Sequence, residues 1–223
     1  SGNAQIDAII DLRQENAERY RGNLALNDFD VGRLIGNDSI GELTLNIQAD
    51  GVGFDPATAN VTVSGTINKV EYNSYTYRNL KVEGSMANGD LEAEAVMEDP
   101  NLDFVVTASG NFQGEYPSLQ LQGDIRNVAL DSLNLYGYPL RLEGNITADL
   151  QTADPDHLNR EIHHTNFISE NAGDRNHLDP VTLRYVAAAE IASLISVSDT
   201  HMTLPTICSV CVLVSLVLST NNK

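Results

Sequence analysis

The chain has no tryptophan, two cysteines and few basic residues, and each scarcity excludes a class of function. Aromatic residues are 6% of the sequence, a thin supply for a stacking or sugar-binding site. Both cysteines, Cys208 and Cys211, lie near the C-terminus, so the body of the chain has no disulfides. Acidic residues number 31 against 13 basic ones, and this net charge of −18 argues against nucleic acid and against docking on anionic membranes.

The N-terminal sequence SGNAQIDAII lacks the basic region and long apolar run of a secretory signal. The chain is therefore expected to be either cytoplasmic or an internal piece of a longer protein. Its 223 residues suffice for one large all-β domain or two smaller ones.

A seven-residue pattern, apolar-x-apolar-x-Gly-x-apolar, recurs five times. Positions one, three, five and seven of a strand share a face, so each glycine is expected on the apolar face. A glycine inside a strand marks a bend, a bulge or a close approach. The pattern predicts a sheet that curls around its apolar surface; its copies are VTVSGTI (61–67), LKVEGSM (80–86), VTASGNF (106–112), LQLQGDI (119–125) and LRLEGNI (140–146).

Apolar and polar residues alternate almost throughout Gly41 to Leu150, which predicts short antiparallel strands. About ten strands at ~4.8 Å spacing would advance ~50 Å. Asn88-Gly89 between two alternating segments predicts a two-residue type I′ hairpin. Breaks are expected at the turn-forming segments ADGVG, DPATAN, ANGD, EDPN, QGEYP and YGYP.

Three segments depart from this alternation. Asp28 to Gly36 is expected to form one helical turn or a bend that packs Phe29, Val31 and Leu34, and LDSLNLYG is expected to be an excursion between strands. Residues 6–26 are predicted to form two more strands. The overlapping run from Ala4 to Leu12 remains open to a helical interpretation, because periodicity alone does not distinguish a helix from a strand in a short apolar run.

The tail differs from the rest of the chain. Val197 to Thr206 resembles VSYTHLTLPT, the translated read-through of a sequencing adaptor, with differences at Asp199 and Met202. We therefore divide the chain into a β segment, residues 1–194, and a non-native tail, residues 195–223. Within the tail, the lone CxxC of Cys208 and Cys211 is a weak redox or zinc signal, and the apolar run is too short to span a bilayer.

No catalytic, cofactor or metal motif emerges. His163 and His164, with His157 and His177, are expected to be exposed loop residues, because adjacent histidines in a strand point to opposite faces. DPNLD and ADPDH lack the order of a calcium loop, and Asp-Pro more simply starts a turn. The chain is not expected to be an enzyme, and no cofactor is implied.

The segments FDVGRLIG and INKVEYNSYTYRNLKVEGSMANGDLEAEAVMEDPNLDFVVTASGNF resemble the TamB family of envelope proteins, within the AsmA-like group, and its Bacteroidota members most. The resemblance covers residues 6–194. It implies an elongated, curled, mostly antiparallel sheet with an open U-shaped hydrophobic groove (β-taco). It also implies the periplasmic part of an inner-membrane-anchored protein that conducts phospholipid between membranes, or supports outer-membrane protein assembly and secretion, with a TamA-like barrel as partner.

On this reading phospholipid acyl chains would contact the apolar positions of the glycine-containing strands. The alternative is a closed β-sandwich segment of a surface adhesin with no lipid role. Alanine and glycine on the inward faces favour an unfilled groove over a densely packed core. The predicted groove-lining residues are Val61, Val63, Gly65, Ile67, Leu80, Val82, Gly84, Leu119, Leu121, Gly123, Leu140, Leu142 and Gly144.

A truncation tests the assignment of the tail. Removing residues 197–223 should change the free energy of unfolding by less than ~1 kcal/mol, the scale of ordinary surface changes. Urea denaturation of the full and truncated chains measures this difference. A larger loss of stability would show that the tail belongs to the fold.

Overall fold

The computed structural model describes residues 2–13, 17–150, 159–171, 174–177, 181–186 and 191–196. These residues form a single 13-stranded sheet and one short helix, which confirms the prediction of an all-β, elongated and open antiparallel sheet. The strands are β1 Asn3–Asp11, β2 Arg19–Asp30, β3 Ile40–Val52, β4 Asn60–Tyr72, β5 Tyr75–Ala87, β6 Asp90–Asp99, β7 Leu102–Asn111, β8 Ser118–Ala129, β9 Arg141–Leu150, β10 Asn159–Asn171, β11 Asp174–His177, β12 Val181–Val186 and β13 Ile191–Ser196; the helix, α1, is Val31–Ile35.

Consecutive strands from β1 to β10 pair as neighbours, and β10 then pairs with both β11 and β12. The connections therefore alternate between the two ends of the strands. One end carries α1, the turns after β4 and β6, and residues 130–140, which we call the excursion. The other end carries residues 53–59, the Asn88-Gly89 turn and residues 112–117.

The N-terminal segment forms strands β1 and β2, as predicted, and the helical interpretation of Ala4 to Leu12 is wrong. The predicted helical turn is α1. Its N-cap is Asp30, whose side chain accepts a hydrogen bond from the Arg33 backbone N–H at 2.9 Å. Leu34 does not pack as expected, because it is 71% exposed.

One predicted break is wrong, because β3 continues through most of ADGVG and ends at Val52. Gly51 remains in the ladder, opposite Tyr20 on β2 and Val61 on β4. A Cβ on Gly51 would lie 2.6 Å from the Tyr20 ring. This glycine therefore makes room for an aromatic ring inside the sheet and does not end a strand.

One of the six register shifts between the described strands, between Ile40 and Leu43, lies apart, and the other five recur at one level of the sheet. They fall between Leu26 and Phe29, between Thr44 and Leu45, and between Asp103 and Phe104. Further shifts fall between Ile125 and Val128 and between Thr165 and Ile168. Bulges bend strands and increase their twist, so the sheet bends along this line.

The DPNLD segment is a turn built around Asp99, which is only 4% exposed. The Asp99 carboxylate accepts hydrogen bonds from the Tyr75 hydroxyl and from the backbone N–H groups of Arg78 and Asn101. The pKa of Tyr75 is raised, first by burial and then by its bond to Asp99. Asp99 thus serves the fold, as the turn interpretation of Asp-Pro predicts.

The Asn88-Gly89 hairpin is confirmed. Ala87 pairs with Asp90, and both turn residues have positive φ, 51° at Asn88 and 87° at Gly89. Sequence reading missed a second turn of this kind at Asn73-Ser74, where φ is 52° and 65°. Tyr72 pairs with Tyr75 across that turn.

The turn geometry predicts the effect of Gly89→Val. A β-branched residue is strained at positive φ, and its Cβ would meet the Gln113 side chain at 2.6 Å. The substitution should cost more than ~1 kcal/mol in urea denaturation.

Thr107→Val is the control, because Thr107 lies exposed within β7. It should be neutral or slightly stabilising. Equal losses for the two variants would contradict the hairpin geometry.

Candidate functional site

Cross-strand register aligns the apolar residues of β1 to β9 into four rows that share one face of the sheet, which we call the apolar face. Row 1 is Ile10, Tyr20, Gly51, Val61, Met86, Leu91, Gly110, Leu119 and Leu150. Row 2 is Ala8, Gly22, Ala49, Val63, Gly84, Ala93, Ala108, Leu121 and Ala148. Row 3 is Ile6, Leu24, Ile47, Gly65, Val82, Ala95, Val106, Gly123 and Ile146. Row 4 is Ala4, Leu26, Leu45, Ile67, Leu80, Met97, Phe104, Ile125 and Gly144.

Row 2 is the row of small residues. Seven of its nine positions are alanine or glycine, Val63 and Leu121 being the others. Rows 1 and 3 flank it with larger aliphatic side chains. Strands lie ~4.8 Å apart, so the eight steps from β1 to β9 give a shallow apolar track about 40 Å long.

Most of the apolar face is half-exposed. From β4 to β8 the residues of rows 1 to 3 are partly accessible to solvent, with Val63 at 37%, and among them only Gly123 is buried. The inner face of a sandwich would be closed by a second sheet. The described residues form one sheet, so no second sheet covers these rows.

One corner of the apolar face is covered. Leu130 and Leu140 of the excursion pack with Leu142 of β9 and Phe167 of β10, and all four are at most 5% exposed. The excursion is held by the Leu130 N–H donating to the Leu140 carbonyl at 2.9 Å and by the Asn134 side chain donating to the Asn73 carbonyl at 3.1 Å.

This corner changes the predicted lining at three positions. Leu140 lies outside the strands, Leu142 is buried, and Gly144 sits beneath Phe167. Leu140 and Leu142 are buried in the cluster with Leu130 and Phe167, and Phe167 of β10 occupies the space above Gly144. The other predicted lining residues lie in rows 1 to 4, outside this buried cluster.

The glycines of the repeated pattern have different local roles. A Cβ on Gly65 would lie 2.6 Å from the Asn46 carbonyl oxygen, so β3 and β4 approach too closely there for a side chain. Gly144 has φ 148°, and a Cβ there would lie 2.8 Å from the Phe167 Cα. At Gly84 and Gly123 the nearest atoms are 3.5 Å from a built Cβ, which is ordinary contact.

The opposite face is polar and carries a cavity of about 600 Å³. Polar side chains from β4 to β8 line it, including Thr62, Ser64 and Gln122, with Glu83 directly opposite Glu94. Four residues of row 2 also contribute to its lining, namely Val63, Gly84, Ala93 and Ala108. Hydroxyl, amide and carboxylate groups are well solvated by water, and transferring them to a hydrocarbon environment costs free energy. A concavity thus lies on the polar side of the sheet, and the four apolar rows form a broad surface on the other side.

Near the bend, Lys69 is the hub of an ion-pair network. Its ammonium lies 2.7 Å from Glu42, 3.2 Å from Glu71 and 3.4 Å from Asp28. The Glu42 and Glu71 hydrogen bonds raise the pKa of Lys69 well above its ordinary value. The pKa of Glu71 is lowered, first by the Glu42 backbone N–H and then by Lys69. The network ties β2, β3 and β4 together.

The prediction of exposed loop histidines is wrong for His163 and His164, which lie partly buried in β10. The His164 ring packs on Phe167 with centroids 4.9 Å apart, and burial lowers its pKa. His177 is exposed but belongs to β11. His157 lies outside the described residues, as do ADPDH and the CxxC segment.

The described part of the chain contains neither a cluster of metal-ligating side chains nor a membrane-spanning helix. No group of three or more His, Cys, Asp or Glu side chains there is placed to hold a metal ion. None of its helices has the length and apolar character needed to cross a membrane.

Sequence reading missed Phe167 and the covered corner. The relevant signal was the aliphatic content of the excursion, whose leucines could pack only against a neighbouring apolar surface. Phe167 follows a polar segment, HHTN, and the bulge beside it disrupts the period-2 pattern that would have assigned it to a face.

Comparisons of the chain with protein-family models, with curated proteins and with solved structures return no match.

The glycine geometry predicts two classes of alanine variant. Gly65→Ala and Gly144→Ala should each cost ~1–3 kcal/mol, because the added Cβ meets backbone or adopts a strained φ. Gly84→Ala and Gly123→Ala should be neutral or stabilise by up to ~1 kcal/mol, because the unfolded chain loses freedom. Urea denaturation of the four variants measures both effects. Similar losses in all four would show that the glycines share one role.

Proposed function

We propose that this chain is a groove segment of a TamB-like, AsmA-like envelope protein and that its apolar face conducts phospholipid acyl chains between the inner and outer membranes. The observation that carries the proposal is the continuous apolar face, which crosses nine strands and is left half-exposed in a single open sheet. Of the two segments that resemble the TamB family, residues 67–112 span β4 to β7, and FDVGRLIG contains the helix α1.

Transfer energies explain why such a surface would be useful. An acyl chain of ~16 methylenes carries roughly 13 kcal/mol of hydrophobic transfer free energy at ~0.8 kcal/mol per methylene, so it crosses water slowly. A track about 40 Å long, lined by small and aliphatic side chains, would keep that chain out of water along its path. Because the track is shallow, contact would be partial and release would remain fast.

The charge distribution supports the same assignment of faces. The polar face carries carboxylates, hydroxyls and amides around its cavity, so it would remain hydrated. The apolar rows hold no charged residue from β1 to β9. A lipid tail would therefore partition to one face only.

The parent protein would be anchored in the inner membrane of a Gram-negative envelope, with this segment in the periplasm. One segment about 40 Å long would be a section of a longer bridge. A TamA-like outer-membrane barrel would be its partner through other parts of that protein. The same face could guide apolar segments of outer-membrane proteins during assembly and secretion.

Two other functions have less support. An adhesin-like sandwich needs a second layer over the apolar face, whereas the described residues close only the corner beneath the excursion. An enzyme is not proposed, because lipid conduction along a surface needs no catalytic group.

Site-specific photo-crosslinking tests the proposal. Benzoylphenylalanine at Val63 or Leu121 in the purified chain should capture phospholipid from vesicles of phosphatidylethanolamine and phosphatidylglycerol, as detected by mass spectrometry. Thr62 and Gln120 are matched controls, because each is adjacent in sequence and points to the opposite face. Thr62 and Gln120 line the polar-side cavity, to which Val63 also contributes, so capture at Val63 without capture at Thr62 or Gln120 would exclude selection of lipid by the shape of that cavity.

Equal capture from the two faces, or none from either, would contradict lipid conduction. Leu142 should capture none, because it is only 3% exposed. Replacing Gly84 with Leu should reduce capture at Val63, since the added side chain fills row 2, whereas Gly84→Ala should leave capture within about twofold. Denaturation measured in parallel would show whether each variant is folded.

A further inference from the structure

The covered corner, where the excursion packs on β9 and β10, contains a titratable side chain whose polar atoms have no partner. Both ring nitrogens of His164, Nδ1 and Nε2, are buried and make no hydrogen bond. A neutral imidazole has one donor and one acceptor nitrogen, so burying both without partners costs free energy. Burial also lowers the pKa of His164, because the charged ring would lose its solvation.

The His164 ring lies against the side chain around which the corner is packed. Its centroid is 4.9 Å from that of Phe167, which is 1% exposed. Phe167 packs in turn with Leu130 and Leu140 of the excursion and with Leu142 of β9. Because the ring nitrogens are covered in this arrangement, hydration of the imidazole requires the packing around Phe167 to loosen.

Strand β9 brings no charged group to the ring. Ile146 is the β9 residue that pairs with His164. The nearest charged residues of β9, Glu143 and Asp149, are each three positions from Ile146, and such residues lie on the opposite face of a strand. Glu143 is moreover paired with Arg175.

The other neighbouring elements are similar. On β12 the residue paired with His164 is Val181, and the one charged residue of that strand is Arg184, three positions further along. In the excursion Tyr136 packs against the buried cluster. None of the side chains that the structure describes accepts a hydrogen bond from the ring. The remaining titratable or charged residues of β10 and the excursion are Arg160, Glu161, His163, Glu170, Asp131 and Tyr138.

We propose that the covered corner is a pH-sensitive switch, in which protonation of His164 releases the excursion from β9 and β10. An imidazolium carries two N–H donors, and the closed corner offers neither of them an acceptor. Opening lets water solvate both donors and uncovers Leu142, so the apolar face continues from β8 onto β9. The inference rests on the packing of the corner and does not depend on the lipid role.

The sign of the pH dependence follows from the two states. In the open corner His164 is solvated and takes up a proton near the ordinary histidine pKa of ~6.5. In the closed corner its pKa is lower, so the proton binds the open state preferentially. Between about pH 7.5 and about pH 5 the ratio of open to closed molecules should therefore rise, by at most about thirtyfold for one proton.

Amide hydrogen exchange measured by NMR on the full chain tests this opening. The reporters are the Leu130 N–H, which donates to the Leu140 carbonyl at 2.9 Å, and the Leu135 N–H, which donates to the Leu130 carbonyl at 2.9 Å. Their protection factors, each relative to an unfolded peptide at the same pH, should fall about five- to thirtyfold between about pH 7.5 and about pH 5. The Val82 amide in β5, far from the corner, should change less than about twofold.

Two histidine variants identify the titrating group. His164→Leu keeps an apolar side chain beside Phe167 and removes the titration, so the protection of Leu130 should vary less than about twofold over the same pH range. His163→Gln is the matched control, because His163 is adjacent in the strand and points to the opposite face. It should retain the full pH dependence of the unsubstituted chain.

Unchanged pH dependence in His164→Leu would overturn the proposal, as would its loss in His163→Gln. An equal fall in the protection of Val82 would also overturn it, because the whole sheet would then be unfolding. Phospholipid capture at Val63, which lies outside the corner, can succeed or fail whatever the pH dependence, so the two proposals fail separately.

A titration of the unsubstituted chain needs no variant to fold. The ring protons of His164, followed by NMR, should report a pKa below ~6.5. A pKa at or above this value would show that the closed corner tolerates the charged ring and would overturn the switch.

Discussion

In-register antiparallel pairing is the constraint on which the rest of the structure depends. Side chains alternate between faces, and each strand from β1 to β9 meets the next with its apolar positions opposite apolar positions. A slip of one residue at any strand would place that strand's aliphatic side chains among carboxylates. The cross-strand pairs therefore fix the register and create the apolar face together.

Because one layer carries this face, the protein buries its apolar side chains only in part. Neighbours within a row and on adjacent rows shield each other, which accounts for the half-exposed state of Val61, Val82 and Leu121. Full burial is concentrated where the excursion folds back over β9 and β10. The single layer is held together instead by the hydrogen-bonded backbone ladder, by the turn built around Asp99 and by the Lys69 ion-pair network.

The bend and the glycines show how a wide single sheet is shaped. Register shifts at one level bend successive strands at the same place, and Gly144 occupies this line with a backbone conformation that other residues rarely adopt. Gly65 permits a close approach between two strands, whereas a Cβ at Gly84 or Gly123 would make ordinary contacts. At the last two positions the backbone does not require glycine.

The sequence by itself determined the strand class, the face of residues in the regularly alternating stretches and the tight turn at Asn88-Gly89, because alternation and turn chemistry are local properties. It also predicted both N-terminal strands and the short helix. Only the tertiary structure decided which apolar residues remain open, since Leu140 and Leu142 are buried where the β8–β9 connection packs against Phe167, and Phe167 of β10 covers Gly144. Packing between strands likewise decided the positions of the bulges, the positive-φ turn at Asn73-Ser74 and the packing of His164 on Phe167. No local periodicity of the sequence encodes this packing.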